Sequence, residues 1–300
     1  MVIQGPTASG KTSLAIALAK RWETEILSAD SRQFYREMSI GTAKPDEEEQ
    51  EGIPHHFIDS HSIEDALTAA EFEKQALKKL DTLFQKHQRI VLVGGSGMFI
   101  DALCDGLDDL PHSKQVREQL NSEFQDQGLE PLLKELGEKD HEYYEKIDRQ
   151  NPVRVIRALE VIRLSGRKYS ELRAQKSNPR PFQIRRFVID LPREELYQRI
   201  DLRVDVMMER GLLEEVKRLL PYQHQMIMRT VGYQELFPYL NGKTDLESAL
   251  AKMKQNSRRY AKRQLTWFRR NPKNVWLKSH STEKQLEEIE KILAQEKKNV

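Results

Sequence analysis

Eight residues near the start of the chain constrain its fold more than any other stretch. Gly5-Pro6-Thr7-Ala8-Ser9-Gly10-Lys11-Thr12 places two glycines around four residues and follows them with a lysine and a hydroxyl. In that pattern backbone N–H groups converge on phosphate oxygens, and the helix that follows adds the partial positive charge of its N-terminus. Lys11 reaches the outer phosphates, and the Thr12 hydroxyl suits a magnesium ion. The flanks agree with this. Met1–Gln4 reads as the end of a strand, and Leu14, Ala15, Leu18 and Ala19 recur at helical spacing. Strand, phosphate loop and helix in this order predict an α/β fold of P-loop NTPase-like type, a parallel sheet flanked by helices.

Further strands are expected at Glu25–Asp30, Arg89–Val93, Phe187–Leu191 and Asn274–Leu277, and a helix over 64–86. The apolar run Ile90–Val93 has the character of a strand covered on both faces. Residues 41–60 lack periodicity and contain Gly41, Pro45, Gly52 and Pro54, which predicts a long functional loop. From Pro111 the sequence becomes charged and helical, up to the turn-rich Ser177-Asn178-Pro179-Arg180-Pro181. We therefore expect a core of residues 1–110 and 182–300, interrupted by an all-helical insertion domain at 111–181. Long helices follow Pro192, and the last carries Leu286, Ile289 and Leu293 on one face.

A P-loop enzyme that hydrolyses a nucleoside triphosphate needs a second acid, usually at the end of an apolar strand, to hold magnesium. Here the best such strand runs into Gly94-Gly95-Ser96-Gly97 and offers none. The acid follows the second strand instead, as Asp30. Ligands of open parallel sheets bind at the carboxyl ends of the strands, so Lys11, Asp30 and Ser96 are expected in one crevice. A carboxylate there is placed to act as general base for a substrate amine or hydroxyl; the same residue type also caps helices. His55-His56 lacks further ligands at metal spacing and reads as a source of loop-ordering hydrogen bonds.

Charge is unevenly distributed. Residues 1–110 carry 11 Lys+Arg against 19 Asp+Glu, a net of −8, whereas residues 151–280 carry 28 against 13, a net of +15. Such asymmetry points to a polyanionic partner. Its densest part, Asn256–Arg270, interleaves cations with aromatics. It suits a phosphate backbone, and equally an exposed helix with cations stacked on rings. As a helix it would turn Ala261, Leu265 and Phe268 inward. One cysteine, Cys104, leaves no intramolecular disulfide. With no apolar run of membrane-spanning length and no signal-like start, the expectation is a cytoplasmic protein without membrane contact.

Several blocks resemble the tRNA dimethylallyltransferase (IPP transferase) family: Gly5–Thr12, Ser28–Tyr35, Gly41–Pro45, Pro54-His55-His56, Gly94–Phe99, Asn151–Arg154 with Arg157–Glu160, Val231-Gly232-Tyr233 and Tyr260–Phe268. They occur in family order from the first residues to about 270. The resemblance implies transfer of a dimethylallyl group from dimethylallyl diphosphate to N6 of the adenosine next to the anticodon, position 37, in tRNAs reading U-starting codons. The loop Gly5, Pro6, Thr7, Ala8, Ser9, Gly10, Lys11 and Thr12 would then hold the leaving diphosphate, with Mg2+ on Thr12. Asp30, Lys11, Ser96 and Arg203 would be catalytic, with Asp30 taking the amine proton.

By the same resemblance Asp30, Ser31, Arg32, Gln33 and Ser96 would meet the RNA, joined by Arg117, Gln150, Asn151, Pro152, Val153 and Arg154. The insertion would clamp the anticodon stem-loop, and the enzyme would act as a monomer. Ser96 stands where the family usually has threonine, which keeps the hydroxyl and loses a methyl contact. A P-loop small-molecule kinase using ATP is the alternative, with Asp30 as base for a hydroxyl. An RNA-binding module with a vestigial loop is another.

Overall fold

A computed structural model describes residues 1–108, 110–173 and 179–298. Six strands form one sheet: β1 (Val2–Gln4), β2 (Ile26–Ser28), β3 (His55–His56), β4 (Val91–Gly94), β5 (Arg186–Ile189) and β6 (Asn274–Leu277). Their order is β3-β2-β4-β1-β5-β6, and every pairing is parallel. Parallel pairing demands crossovers, and helices supply them: α1 (Lys11–Trp22), α2 (Ala69–Leu83) and α3 (Gly97–Asp105) on the N-terminal side. β1 lies between β4 and β5, so its loop opens where neighbouring strand ends diverge.

Two expected boundaries shift for local reasons. The second strand ends at Ser28 because Asp30 enters a turn, and α2 starts at Ala69 rather than 64 because Thr68 and Glu71 form a reciprocal capping box there. The region 41–60 is mostly turns, yet it also contributes β3, a two-residue edge strand beside β2. A strand that short leaves no alternation to detect.

The chain divides into two compact units. Met1–Cys104 with Pro181–Val300 forms one, and Asp105–Arg180 the other. In the first, Ile3, Val91, Val93, Phe187 and Ile189 of the sheet pack with Leu14, Ala15, Leu18 and Ala19 of α1. The last helix, α13 (Thr282–Lys298), adds Ile289 to that core. A second cluster, of Phe34, Phe57, Phe72 and Phe99, underlies the site. Phe34 stacks on Phe72 at 5.3 Å and meets Phe99 edge-on at 5.5 Å. Phe34 follows Asp30 and Phe99 follows Ser96, so these rings fix both loops from below.

The second unit contains α4 (Lys114–Gln127), α5 (Glu130–Lys139), α6 (His141–Lys146), α7 (Pro152–Ser165) and α8 (Tyr169–Arg173). α7 buries Val155, Ile156, Ala158, Leu159, Val161 and Ile162, which is nearly all round, and so forms the centre. The turn expected at 177–181 begins outside the described residues. The remaining helices, α9 (Arg193–Glu209), α10 (Leu212–Arg218), α11 (Tyr233–Leu240) and α12 (Leu246–Phe268), return to the first unit. Among the described residues no helix is long and apolar enough to cross a membrane.

Candidate active site

The phosphate loop leaves β1 and enters α1 through Gly10, whose φ of +88° belongs to the left-handed region that a side chain disfavours. No side chain caps α1, so its first N–H groups are left for an external acceptor. The Ser9 hydroxyl points the same way, because it is buried and has no hydrogen-bond partner among the described residues. Buried donors are almost always satisfied, and an anion in the loop would satisfy this one.

A cavity of about 450 Å³ opens over the loop. Thr7–Ser13 form its floor, Ser28, Asp30 and Gln33 one wall, and Arg199, Leu202, Arg203 and Val206 of α9 another. Lys11, Asp30 and Arg203, predicted from scattered positions, thus share one space. Ser96 is not part of its lining. The Ser96 Oγ accepts the Ser31 N–H at 2.9 Å and lies 3.0 Å from the Ser31 hydroxyl. Ser96 thus stands beside the turn after Asp30, with its hydroxyl engaged by Ser31, and helps to order that turn.

The missing acid on β4 has a steric cause. A Cβ at Gly94 would come within 2.4 Å of the Ala29 carbonyl, so the strand end accommodates no side chain. The same close approach brings the backbone before Asp30 alongside the loop. Asp30 caps no helix. Its Oδ1 accepts the Arg32 N–H at 3.2 Å in a tight turn, and Oδ2 has no partner among the described residues.

The electrostatics favour an anion. Burial pushes the Lys11 ammonium down to about 8; the Asp30 charge opposes that and Arg203 reinforces it. Lys11 Nζ meanwhile donates to the Pro6 carbonyl at 2.7 Å. Burial also lowers Arg203, against the charges of Asp30 and Glu49. Arg203 donates to the Thr7 hydroxyl at 3.1 Å. Two partly buried cations facing one carboxylate leave an excess of positive charge that a diphosphate would neutralise.

Two contributors were not foreseen. Gln264 of α12 is 5% exposed; its Oε1 accepts the Thr7 N–H and its Nε2 donates to the Gly95 carbonyl, both at 2.8 Å. It joins the phosphate loop to the Gly94–Gly97 turn, and of its neighbours Leu265 is only partly buried. An amide on the otherwise apolar face 261, 264, 265, 268 was the available signal. Tyr260 lies near Ser96 and Asp30, and its phenol is pushed up to about 12, first by burial and then by the Asp30 charge. Elsewhere on α12 the cations do stack on rings, Arg263 over Tyr260 at 5.7 Å and Arg270 over Trp267 at 5.3 Å. His55 and His56 make hydrogen bonds to Ile53 and Glu25, at 2.8 and 2.6 Å.

In the helical unit, Arg117 is committed to Glu160 through Nε at 3.1 Å and Nη2 at 2.5 Å. Burial works to raise the Glu160 carboxyl, yet hydrogen bonds from Arg157, the Ser113 N–H and Arg117 hold it below its ordinary range. Arg117 keeps about half its side chain exposed. Gln150–Arg154 form the start of α7. The Asn151 side chain caps it by accepting the Arg154 N–H, Pro152 takes the first turn, and Val153 is 67% exposed.

Residues 33–271 match the model of the IPP transferase family. The chain is 48% identical to a tRNA dimethylallyltransferase of Cytophaga hutchinsonii over 92% of its length and 91% of that protein's. It is 47% identical to one of Christiangramia forsetii, covering 95% and 94%. The crystal structure of the tRNA isopentenylpyrophosphate transferase of Bacillus halodurans superposes with a TM-score of 0.70 at 35% identity, covering 98% and 95%. A eukaryotic dimethylallyltransferase acting on tRNA gives 0.76 at 29%, covering 89% and 69%. With its phosphate loop, its acid just beyond the end of β2 and relatives of this kind, the chain belongs to the IPP transferase family.

Proposed function

We propose that this enzyme transfers a dimethylallyl group from dimethylallyl diphosphate to N6 of the adenosine beside the anticodon of tRNA, releasing diphosphate. One observation carries the reading: the cavity sets an anion-binding floor against a carboxylate, with no acid at the end of β4 for a nucleotide's magnesium. Breaking the allylic C1–O bond leaves positive charge on the allyl carbons and puts the bonding electrons on diphosphate. The main task is therefore to stabilise the leaving group. The loop N–H groups, Ser9, Lys11 and Arg203 are assigned that role.

As C1 bonds to N6, the amine loses one proton, and Asp30 Oδ2 takes it. The amine is barely basic, so the position of the carboxylate counts for more than its proton affinity. The adenine must leave its stack to reach the cavity, which costs a few kcal/mol and less in a loop than in a duplex.

Magnesium fits the oxygen donors present. The Thr12 hydroxyl faces the cavity beside the phosphate loop, and no group of three or more His, Cys, Asp or Glu among the described residues forms a cage of its own. Mg2+ commonly takes one or two protein oxygens and completes its shell with phosphate and water. Bound there it would offset charge on the diphosphate oxygens.

Asp30–Gln33 are assigned to the acceptor base. The helical unit, through Arg117 and the exposed start of α7 at Gln150–Arg154, is assigned to the anticodon stem. A tRNA substrate also supports the cytoplasm as the enzyme's place of work. Incubation with dimethylallyl diphosphate, ATP, Mg2+ and unmodified tRNA, followed by nucleoside mass spectrometry, tests the reading. Prenylated adenosine is expected; ATP consumption without it would overturn the transferase reading.

A further inference from the structure

Glu215 is a carboxylate on the apolar face of α10, only 2% exposed and placed between Leu212, Val216 and Leu219, which are all buried. It accepts four hydrogen bonds. Oε2 takes the N–H groups of Ser39 and Ile40 at 3.0 and 2.8 Å, and Oε1 takes the Gly41 N–H at 2.9 Å and the Tyr233 hydroxyl at 2.6 Å. Three successive backbone donors therefore fan around one side chain. Tyr233 lies flat on the same turn, because a Cβ at Gly41 would meet its ring at 2.6 Å. The far end of the loop is fixed by buried Lys44, which holds the Tyr35 carbonyl, the Ser39 hydroxyl and Asp59.

The carbonyls that follow this turn, of Thr42 and Ala43, accept the Gln33 side chain at 3.3 and 3.0 Å. Carbonyls only accept, so the nitrogen of the Gln33 amide must face them. Its oxygen is the end left without a partner among the described residues, on a side chain that lines the cavity with Asp30. An exocyclic amine offers two N–H groups. Asp30 and the Gln33 oxygen offer two acceptors, and a base presenting a carbonyl at that place would meet oxygen with oxygen.

We propose that Glu215, supported by Tyr233, is a positioning residue for acceptor selection: it templates the turn at 39–43 and thereby aims Gln33 as the second acceptor for the target amine. The inference rests on the proposed transfer to adenosine. It predicts a larger effect on the RNA than on the diphosphate, because the hydrogen bonds of Glu215 go to Ser39, Ile40, Gly41 and Tyr233 and not to the P-loop. When the turn is loosened, only a fraction of molecules present Gln33 correctly, and apparent RNA affinity falls by that fraction.

The test is steady-state kinetics with dimethylallyl diphosphate and an anticodon stem-loop RNA on the full chain, comparing wild type, Glu215→Gln, Gln33→Ala and their double variant. Glu215→Gln keeps the shape but turns two N–H groups toward backbone N–H groups. It should raise KM for RNA about tenfold, with KM for dimethylallyl diphosphate changed less than about twofold. The double variant should be no worse than Gln33→Ala alone. Equal effects on both substrates, or additive effects in the double variant, would overturn the proposal.

Should Glu215→Gln fail to melt cooperatively, Tyr233→Phe removes one donor and keeps the ring. It should raise KM for RNA a few fold, and this effect should vanish in the Gln33→Ala background; an unchanged KM overturns the proposal. A wild type that prenylates no RNA sinks the functional reading itself. An active wild type with additive variants sinks only the role of Glu215.

Discussion

Replacing Asp30 with asparagine separates the chemistry from the fold. Oδ1 accepts the Arg32 N–H at 3.2 Å, a bond the asparagine carbonyl can keep, and Oδ2 has no partner among the described residues. The change therefore breaks no internal hydrogen bond, and any loss of stability comes from removing the carboxylate that faces Lys11 and Arg203. What disappears is the charge and the proton acceptor. A positioned base contributes about 10²–10⁴-fold, which at 1.36 kcal/mol per decade is roughly 2.7–5.4 kcal/mol of barrier.

A secondary effect runs through Lys11. The Asp30 charge helps that lysine keep its proton against burial, so in the variant its pKa should fall further below about 8. The assay is rapid-quench single turnover near pH 7 with both substrates saturating, which isolates chemistry from any loss of donor affinity. A single-turnover rate within about threefold of wild type would remove Asp30 from the role of base.

Three further outcomes follow from the site. Because burial holds Lys11 at about 8 in the free protein, kcat/KM for dimethylallyl diphosphate should fall as pH rises through that value, since only the ammonium neutralises the donor. In stability the same shift has the opposite sense: between about 8 and 10.5 the unfolded chain binds the extra proton, so this group's contribution to stability rises with pH. A flat kcat/KM profile to pH 9.5 would contradict the assignment. Gln264→Glu sets a carboxylate oxygen against the Gly95 carbonyl; it should cost about 1–3 kcal/mol in denaturant unfolding and raise KM for the donor, and lowered stability with an unchanged KM would reduce Gln264 to a structural role. Arg263→Ala, on the exposed face of α12, should weaken tRNA binding and make its salt dependence shallower; an unaltered slope places that side chain off the RNA.

Much of this site was legible in the sequence because its parts are local. A phosphate loop is a run of backbone conformations written in eight residues, and Asp30 is the acid where an apolar strand stops. The strand ends of a parallel sheet then bring them together without further information. Gln264 and Glu215 were harder to find because their partners are backbone groups from remote segments, Thr7 and Gly95 for one, Ser39 to Gly41 for the other. Helical periodicity marks which face is buried, and a polar residue on that face signals a hidden partner without naming it. Ser96 was read by its neighbourhood in sequence, but its bond to Ser31 across 65 residues was not legible there. His55-His56 escaped as a strand because two residues carry no period.

The account stands on the phosphate loop gripping a leaving diphosphate and not a nucleotide donor. The most direct measurement uses dimethylallyl diphosphate labelled in its allyl carbons with unmodified tRNA and Mg2+, and follows label in RNA and free diphosphate together. One diphosphate should appear for each prenyl group transferred, with ATP neither required nor consumed. Phosphoryl transfer from ATP with no label in the RNA would contradict the account.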